Sequence, residues 1–300
     1  MFASRFPENG LNDETASLAF LAASRSVKYP VSKPEKCPVG RLIETEIAPE
    51  VPIRIYVPQG EGPFSVMLYF HGGGWVAGEL DQYDLTCRIF SKSANLVVIN
   101  VGYRLAPEHP FPIPVDDCYS ALKWAHENAS TFWGDSDQLI VAGSSAGGNL
   151  AAAVALRARD EGPSLLMQVL IYPVTDSRMN YPSFGDDRNG TRYNITAKQM
   201  EWYWRLYTPN FDDRRNPAAS PAHAESLAGL PFGIIAIAEY DPLCDEGQAY
   251  AERLEREGQG SELVRFLGEL HGFMGMPQWF TSAEPSLELI SSKILARINR

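Results

Sequence analysis

Leu139-Ile140-Val141-Ala142-Gly143-Ser144-Ser145-Ala146-Gly147-Gly148-Asn149-Leu150-Ala151-Ala152-Ala153 is the stretch that decides how this chain folds. Leu139 to Ala142 is a short apolar run that reads as a buried strand, and the Ala-rich segment from Asn149 to Arg159 reads as a helix. Between them Gly143-Ser144-Ser145-Ala146-Gly147 fits the pattern G-x-S-x-G. A turn this sharp forces its central residue into a strained backbone conformation, and only small residues at the two glycine positions let strand and helix approach closely. Ser145 is that central residue. The turn lifts its hydroxyl above the sheet and sets it at a helix N-terminus, where the positive dipole end favours a developing negative charge. A Gly-Ser turn can also do no more than connect strand and helix, so the rest of the chain has to decide.

Outward from this turn the same alternation repeats. Val66 to Phe70, Leu96 to Ile99, Met167 to Ile171 and Gly233 to Ile237 are short apolar runs suited to strands buried on both faces. Helix-length segments lie among them at Leu80 to Ala94, Val115 to Asn128, Ala146 to Arg159 and Gly247 to Glu257. Strand and helix in alternation predict the α/β class, with a mostly parallel sheet covered on both sides. Leu42 to Ile47 and Ile53 to Val57 alternate apolar with polar residues between Pro49, Pro52 and Pro58, as half-buried strands at a sheet edge do. Leu11 to Val27 has helical apolar spacing, with Asn12 or Asp13 available as its cap.

The alternation breaks between Thr175 and Pro221, in a polar stretch punctuated by Gly and Pro and followed by the aromatic run Met200 to Tyr207. An insertion of this length in a compact domain usually has a function. It reads either as a lid over the site, packed with the N-terminal helix, or as a plug holding the insertion to the core. The expected organisation is one domain over residues 1–300, with a cap from about 1–45 and 177–219.

A serine hydroxyl needs a base to take its proton and a carboxylate to orient that base. On sheets that carry the nucleophile on such a turn, the acid and then the base follow it in the chain. Of the five histidines, His71 and His109 precede Ser145, His126 lies in an expected helix, and His223 precedes the strand that should bring the acid. His271 remains, after the strand-like run Leu263 to Leu267. Asp241 follows the buried run ending Ala238-Glu239-Tyr240, at the end of a strand where such sheets bind ligands, and is preferred as the acid. Its rival Asp176 also ends a strand, but reads equally as a turn residue opening the insertion. Asp245 and Glu246 suit the first turn of the next helix. Cys244 lacks a base of its own, which argues against a thiol nucleophile.

His71-Gly72-Gly73-Gly74-Trp75 follows the strand Val66 to Phe70. Glycines without Cβ can adopt positive φ and bring successive amides to a tetrahedral oxyanion. Gly73 and Gly74, with the amide of Ala146, are the expected oxyanion donors. The loop lacks the Walker lysine and the GxGxxG spacing of phosphate cradles. Trp75, Trp202 and Phe273 are expected to bind substrate, and no metal-ligand pattern stands out.

Twenty-six basic against thirty-seven acidic residues give a net charge of −11, which repels phosphate backbones and anionic lipid surfaces, so no nucleic-acid partner is expected. No stretch approaches the roughly 18 uninterrupted apolar residues of a membrane-spanning helix. The N-terminus shows no apolar signal region, and Cys37, Cys87, Cys118 and Cys244 are widely spaced without a CxxC pair, which suits reduced core residues in a cytoplasmic protein. Asn189 and Asn194 match the glycosylation acceptor pattern, which matters only in a secreted eukaryotic chain.

Taken together, the His71–Trp75 loop, Tyr103-Arg104-Leu105-Ala106-Pro107-Glu108-His109-Pro110-Phe111-Pro112, Gly143 to Gly148, Asp241-Pro242-Leu243-Cys244-Asp245-Glu246 and His271-Gly272-Phe273 resemble the hormone-sensitive lipase family of α/β-hydrolase esterases, also described as bacterial family IV, across essentially the whole chain. The resemblance implies an eight-stranded sheet with a helical cap, hydrolysis of short- to medium-chain acyl esters, and no cofactor. It also implies a possible homodimer through the edge strand, here residues 263–267. Two positions depart from the family: Ser144 stands where Asp is common and Cys244 where Arg is frequent. The same machinery serves deacetylases, amidases and lactonases. Receptors that resemble the family have lost the catalytic histidine, which this chain keeps.

Overall fold

A computed structural model describes residues 14–26, 37–47, 50–185, 195–257 and 260–299. Parts of the expected cap, and the acceptor patterns at Asn189 and Asn194, lie outside them. Eight strands form one sheet: β1 (Arg41–Ile47), β2 (Val51–Val57), β3 (Phe64–Phe70), β4 (Val97–Val101), β5 (Gly134–Ser144), β6 (Met167–Ile171), β7 (Phe232–Tyr240) and β8 (Ser261–Leu270). Their order is β1-β2-β4-β3-β5-β6-β7-β8. β1 and β2 pair antiparallel, with Ile43 opposite Ile55, and β2 meets β4 antiparallel. From β4 to β8 every pairing is parallel.

Sequence pattern and sheet position agree strand by strand. β3, β4 and β6 are mainly apolar runs buried along their whole length, as suits central strands, and the two buried amides among them donate to backbone carbonyls, Asn100 to Leu80 at 3.1 Å and Gln168 to Pro231 at 3.2 Å. At the two edges β1 is largely exposed and β8 is half-buried to exposed along its length.

The α-helices are α1 (Glu14–Ser26), α2 (Asp84–Ser93), α3 (Ile113–Asn128), α4 (Ala146–Glu161), the short α5 (Pro182–Gly185), α6 (Ala197–Tyr207), α7 (Cys244–Arg256) and α8 (Ala283–Ile298). Alternate residues of β3 serve opposite faces. Val66, Leu68 and Phe70 join the core under α3, α4 and α7, whereas Met67 and Tyr69 join the core under α2 and α8. A third, small cluster of Leu21, Val76, Ala106 and Trp202 ties α1 to α6 above the sheet. The segment expected as one helix from Leu80 begins instead as a 3-10 turn, Leu80–Tyr83, before α2. α7 starts a few residues before the segment from Gly247, with Asp245 and Glu246 in its first turn as their charge suggested. Among the described residues no helix is long and apolar enough to cross a membrane. All four cysteines are buried and free of disulfides.

Candidate active site

Five loops at the C-terminal ends of parallel strands converge on one cleft. Ser145, directly after β5, has φ 56° and ψ −119°, a backbone state that costs on the order of 1–3 kcal/mol and persists only where its surroundings hold it. They hold it tightly: its amide donates to the Ile171 carbonyl at 2.9 Å, and its carbonyl accepts from the amides of Asn149 (3.1 Å) and Val174 (3.3 Å). A Cβ on Gly147 would overlap the Phe70 carbonyl and one on Gly143 the Gly147 carbonyl, so the close crossing of strand and helix requires both glycines.

His271 follows β8 and Asp241 follows β7. His271 Nδ1 lies 2.7 Å from Asp241 Oδ2, and Nε2 lies 2.9 Å from Ser145 Oγ. With Nδ1–H donating to the carboxylate, Nε2 carries the lone pair that accepts the serine hydroxyl. The second carboxylate oxygen of Asp241 accepts from the Leu243 amide at 2.9 Å, and the side chain is fully buried. The rival Asp176 goes elsewhere. It pairs with Arg178 at 2.5 Å, accepts from the Tyr181 hydroxyl at 3.1 Å and faces His223 Nε2 at 3.0 Å. Burial pushes its carboxyl up, but Arg178 and His223 outweigh that and hold it below the ordinary aspartate value. The histidine eliminated by chain order therefore has its own carboxylate, apart from Ser145.

The glycine loop is fixed from behind. Gly73 and Gly74 have φ of 122° and 63°, both in the region that favours glycine. The Gly73 carbonyl accepts from the amides of Val76 (3.2 Å) and Ala77 (3.1 Å), and the Trp75 carbonyl accepts from Ala106 (2.9 Å). His71 Nδ1–H donates to the Gly72 carbonyl at 2.9 Å, and the ring stacks on Tyr103 with centroids 4.3 Å apart. Burial lowers the His71 pKa to about 4, so this imidazole is a neutral prop. Gly72, Gly73 and Gly74 line the same cleft as Ser145 and His271. Ala146 is the first residue of α4, where an amide has no acceptor within its own helix.

The three expected substrate-binding aromatics are not brought to the cleft. Trp75 is fully buried, stacked on Tyr207 with centroids 4.3 Å apart and planes within 3°. Trp202 donates its indole N–H to Ser17 Oγ at 2.6 Å and packs edge-on to Phe20. Phe273 is buried between Phe266 and Tyr172 in the core under α8. Each sits next in sequence to a cleft-lining residue, namely Gly74, Tyr203 and Gly272, and points the other way. The cleft, about 170 Å³, is walled instead by Gln82, Tyr83, Tyr172, Ile195, Tyr203 and Met276. Tyr172 had a sequence signal in its place immediately after a buried strand, and Ile195 and Tyr203 in belonging to the insertion read as a lid, whereas Gln82, Tyr83 and Met276 had none.

The two departures from the family pattern are both buried. Ser144 Oγ accepts from the buried Tyr69 hydroxyl at 3.1 Å. Burial pushes the Cys244 thiol up to about 12, which removes it as a nucleophile. Arg104 braces α3, donating from Nη2 to Asp117 at 2.6 Å.

Comparison with known proteins places this geometry among relatives. The family model described as alpha/beta hydrolase fold matches residues 67–275. The carboxylic ester hydrolase LipN of Mycobacterium tuberculosis is 40% identical over 84% of this chain and 69% of its own length. An arylesterase of Saccharolobus solfataricus is 39% identical over 81% of this chain and 80% of its own. Among solved structures, an ester hydrolase from the metagenome of Lake Arreo superposes with a TM-score of 0.86 at 32% identity, covering 99% of this chain and 95% of that one.

Proposed function

This chain is a carboxylic ester hydrolase of the α/β-hydrolase family, in its hormone-sensitive lipase branch, and we propose that Ser145, His271 and Asp241 carry the reaction as nucleophile, base and orienting acid. One observation carries the reading: the unbroken chain from Ser145 Oγ to His271 Nε2 at 2.9 Å and from His271 Nδ1 to Asp241 Oδ2 at 2.7 Å.

In the first step Ser145 Oγ attacks the ester carbonyl as its proton passes to His271 Nε2. The carbonyl oxygen becomes an oxyanion, which the amides of Gly73, Gly74 and Ala146 receive. Asp241 stays ionised and stabilises the imidazolium. The C–O bond then breaks, the alcohol leaves with the proton from His271, and an acyl ester remains on Ser145. In the second step water gives a proton to His271 Nε2 as it attacks the acyl carbon; the bond from that carbon to Ser145 Oγ then breaks, His271 returns the proton to Oγ, and the carboxylic acid leaves.

The cleft's size and its tyrosine walls support small, soluble esters with short- to medium-chain acyl groups as substrates. Ile195 and Tyr203 come from the insertion, which supports reading residues 177–219 together with α1 as a cap over the site. Exposed Leu263 and Leu267 on the edge strand β8 support pairing with a second copy there.

Hydrolysis of p-nitrophenyl butyrate tests the reading. Ser145→Ala and His271→Ala are each expected to lose about 10⁴-fold or more in kcat while staying folded. Wild-type turnover in either variant would overturn it. A panel of esters, lactones, acetylated sugars and anilides separates the ester reading from its lactonase, deacetylase and amidase neighbours.

A further inference from the structure

The stretch Tyr103 to Pro112 contains a carboxylate, Glu108, for which the chemistry above has no use. Its partner is Arg25, near the end of α1, which donates from Nη1 at 2.8 Å and from Nη2 at 2.7 Å. The same guanidinium donates from Nε to the Val76 carbonyl at 2.8 Å and from Nη2 to the Ala106 carbonyl at 2.9 Å. Both carbonyls belong to residues that grip the glycine loop. The Val76 amide donates to Gly73 O at 3.2 Å, and the Ala106 amide donates to Trp75 O at 2.9 Å. One side chain thus closes two hydrogen-bonded paths that reach either side of Gly74.

The cap grips the loop a second time. Trp202 of α6 is joined to α1 by its bond to Ser17 and by its contact with Phe20. The next residue, Tyr203, lies so close over Gly74 that a Cβ there would overlap its ring. Leu21, one turn before Arg25, packs in the same cluster as Val76, Ala106 and Trp202.

We propose that Arg25 is a positioning residue: from outside the cleft it holds the oxyanion loop in the orientation that the reaction needs, so that docking of the N-terminal helix completes the site. The proposal rests on the reading of Gly73 and Gly74 as oxyanion donors. Arginine suits the task because its planar fork can serve a carboxylate and two carbonyls at fixed angles, which a lysine ammonium cannot reproduce. The bonds from Arg25 hold the Glu108 carboxyl down to about 2, so the pair stays charged at any working pH. Oxyanion donors are effective only when preorganised, and a displacement of about 1 Å can cost about 10²-fold in rate.

Arg25→Gln and Arg25→Lys test this, with kcat expressed per site titrated by a fluorophosphonate and inhibition by a phenylboronic acid measured alongside. In Arg25→Gln, kcat per titrated site is expected to fall about 10- to 100-fold, with KM within about twofold and the boronate inhibition constant raised by a similar factor. Arg25→Lys should recover only part of the loss. A purely structural role would lower the number of titratable sites and the melting temperature and leave turnover per site unchanged; that result overturns the proposal. If Arg25→Gln fails to fold, Arg25→Lys is judged by the same criterion. A wild-type enzyme that hydrolyses esters but is not titrated at Ser145 would sink the parent reading instead.

Discussion

Gly74 shows most sharply what a single residue has to satisfy here. Its φ of 63° disfavours any side chain, and the Tyr203 ring occupies the space that a Cβ would need. Gly74→Ala is therefore expected to push the loop and the cap apart. Measured on a soluble ester, kcat should drop by about 10² to 10³, the worth of one oxyanion donor, and the strained backbone and the clash with Tyr203 should lower the melting temperature as well; an unchanged kcat would remove Gly74 from that role. The residues of the hydrogen-bonded chain could be read from sequence because position along the chain restricts them. Ser145 sits in a turn only small neighbours allow, and His271 is the sole histidine beyond the last buried strand. The cleft walls could not be read in that way. Whether Trp202 or Tyr203 faces the ligand depends on how α6 is rotated, and that is settled by packing on α1 from far away in the chain.

Among the elements, the strands were legible because burial on both faces leaves little choice but an apolar run. The helix α8 went unread, although Leu287, Ile290 and Ile294 recur at helical spacing. Pro285 hides it: a proline in an apolar-periodic run reads as a break, yet this one occupies the first turn, where the missing amide hydrogen has no helical acceptor to serve. The start of α7 was legible from charge rather than from apolar spacing, since Asp245 and Glu246 suit a first turn, but nothing in the sequence signals that Glu246 is buried and accepts from the Thr175 amide at 2.6 Å. The edge strand β8 has its own test. If a second copy pairs along it, sedimentation equilibrium gives a dimer for the wild type and a monomer for Leu267→Asp; a monomeric wild type at micromolar concentration rules the pairing out.

For the molecule as a whole, one buried histidine links stability to pH. His71 titrates near 4 in the fold, whereas an unfolded chain holds histidine near 6.5. Between those values the unfolded state binds the extra proton, so stability rises with pH there. His71 costs nothing above about 6.5, and as pH falls to about 4 it is expected to remove about 3 kcal/mol. Urea unfolding across that window, compared between wild type and His71→Gln, isolates the contribution; parallel curves would contradict it.

The parts meet in a single reactive hydroxyl. The most direct test is mass spectrometry of the protein after reaction with a fluorophosphonate, followed by peptide mapping. One adduct per chain on Ser145, absent in Ser145→Ala and strongly slowed in His271→Ala, is the predicted result. An unlabelled Ser145 in a preparation that still hydrolyses esters, or an adduct on another residue, would contradict the account.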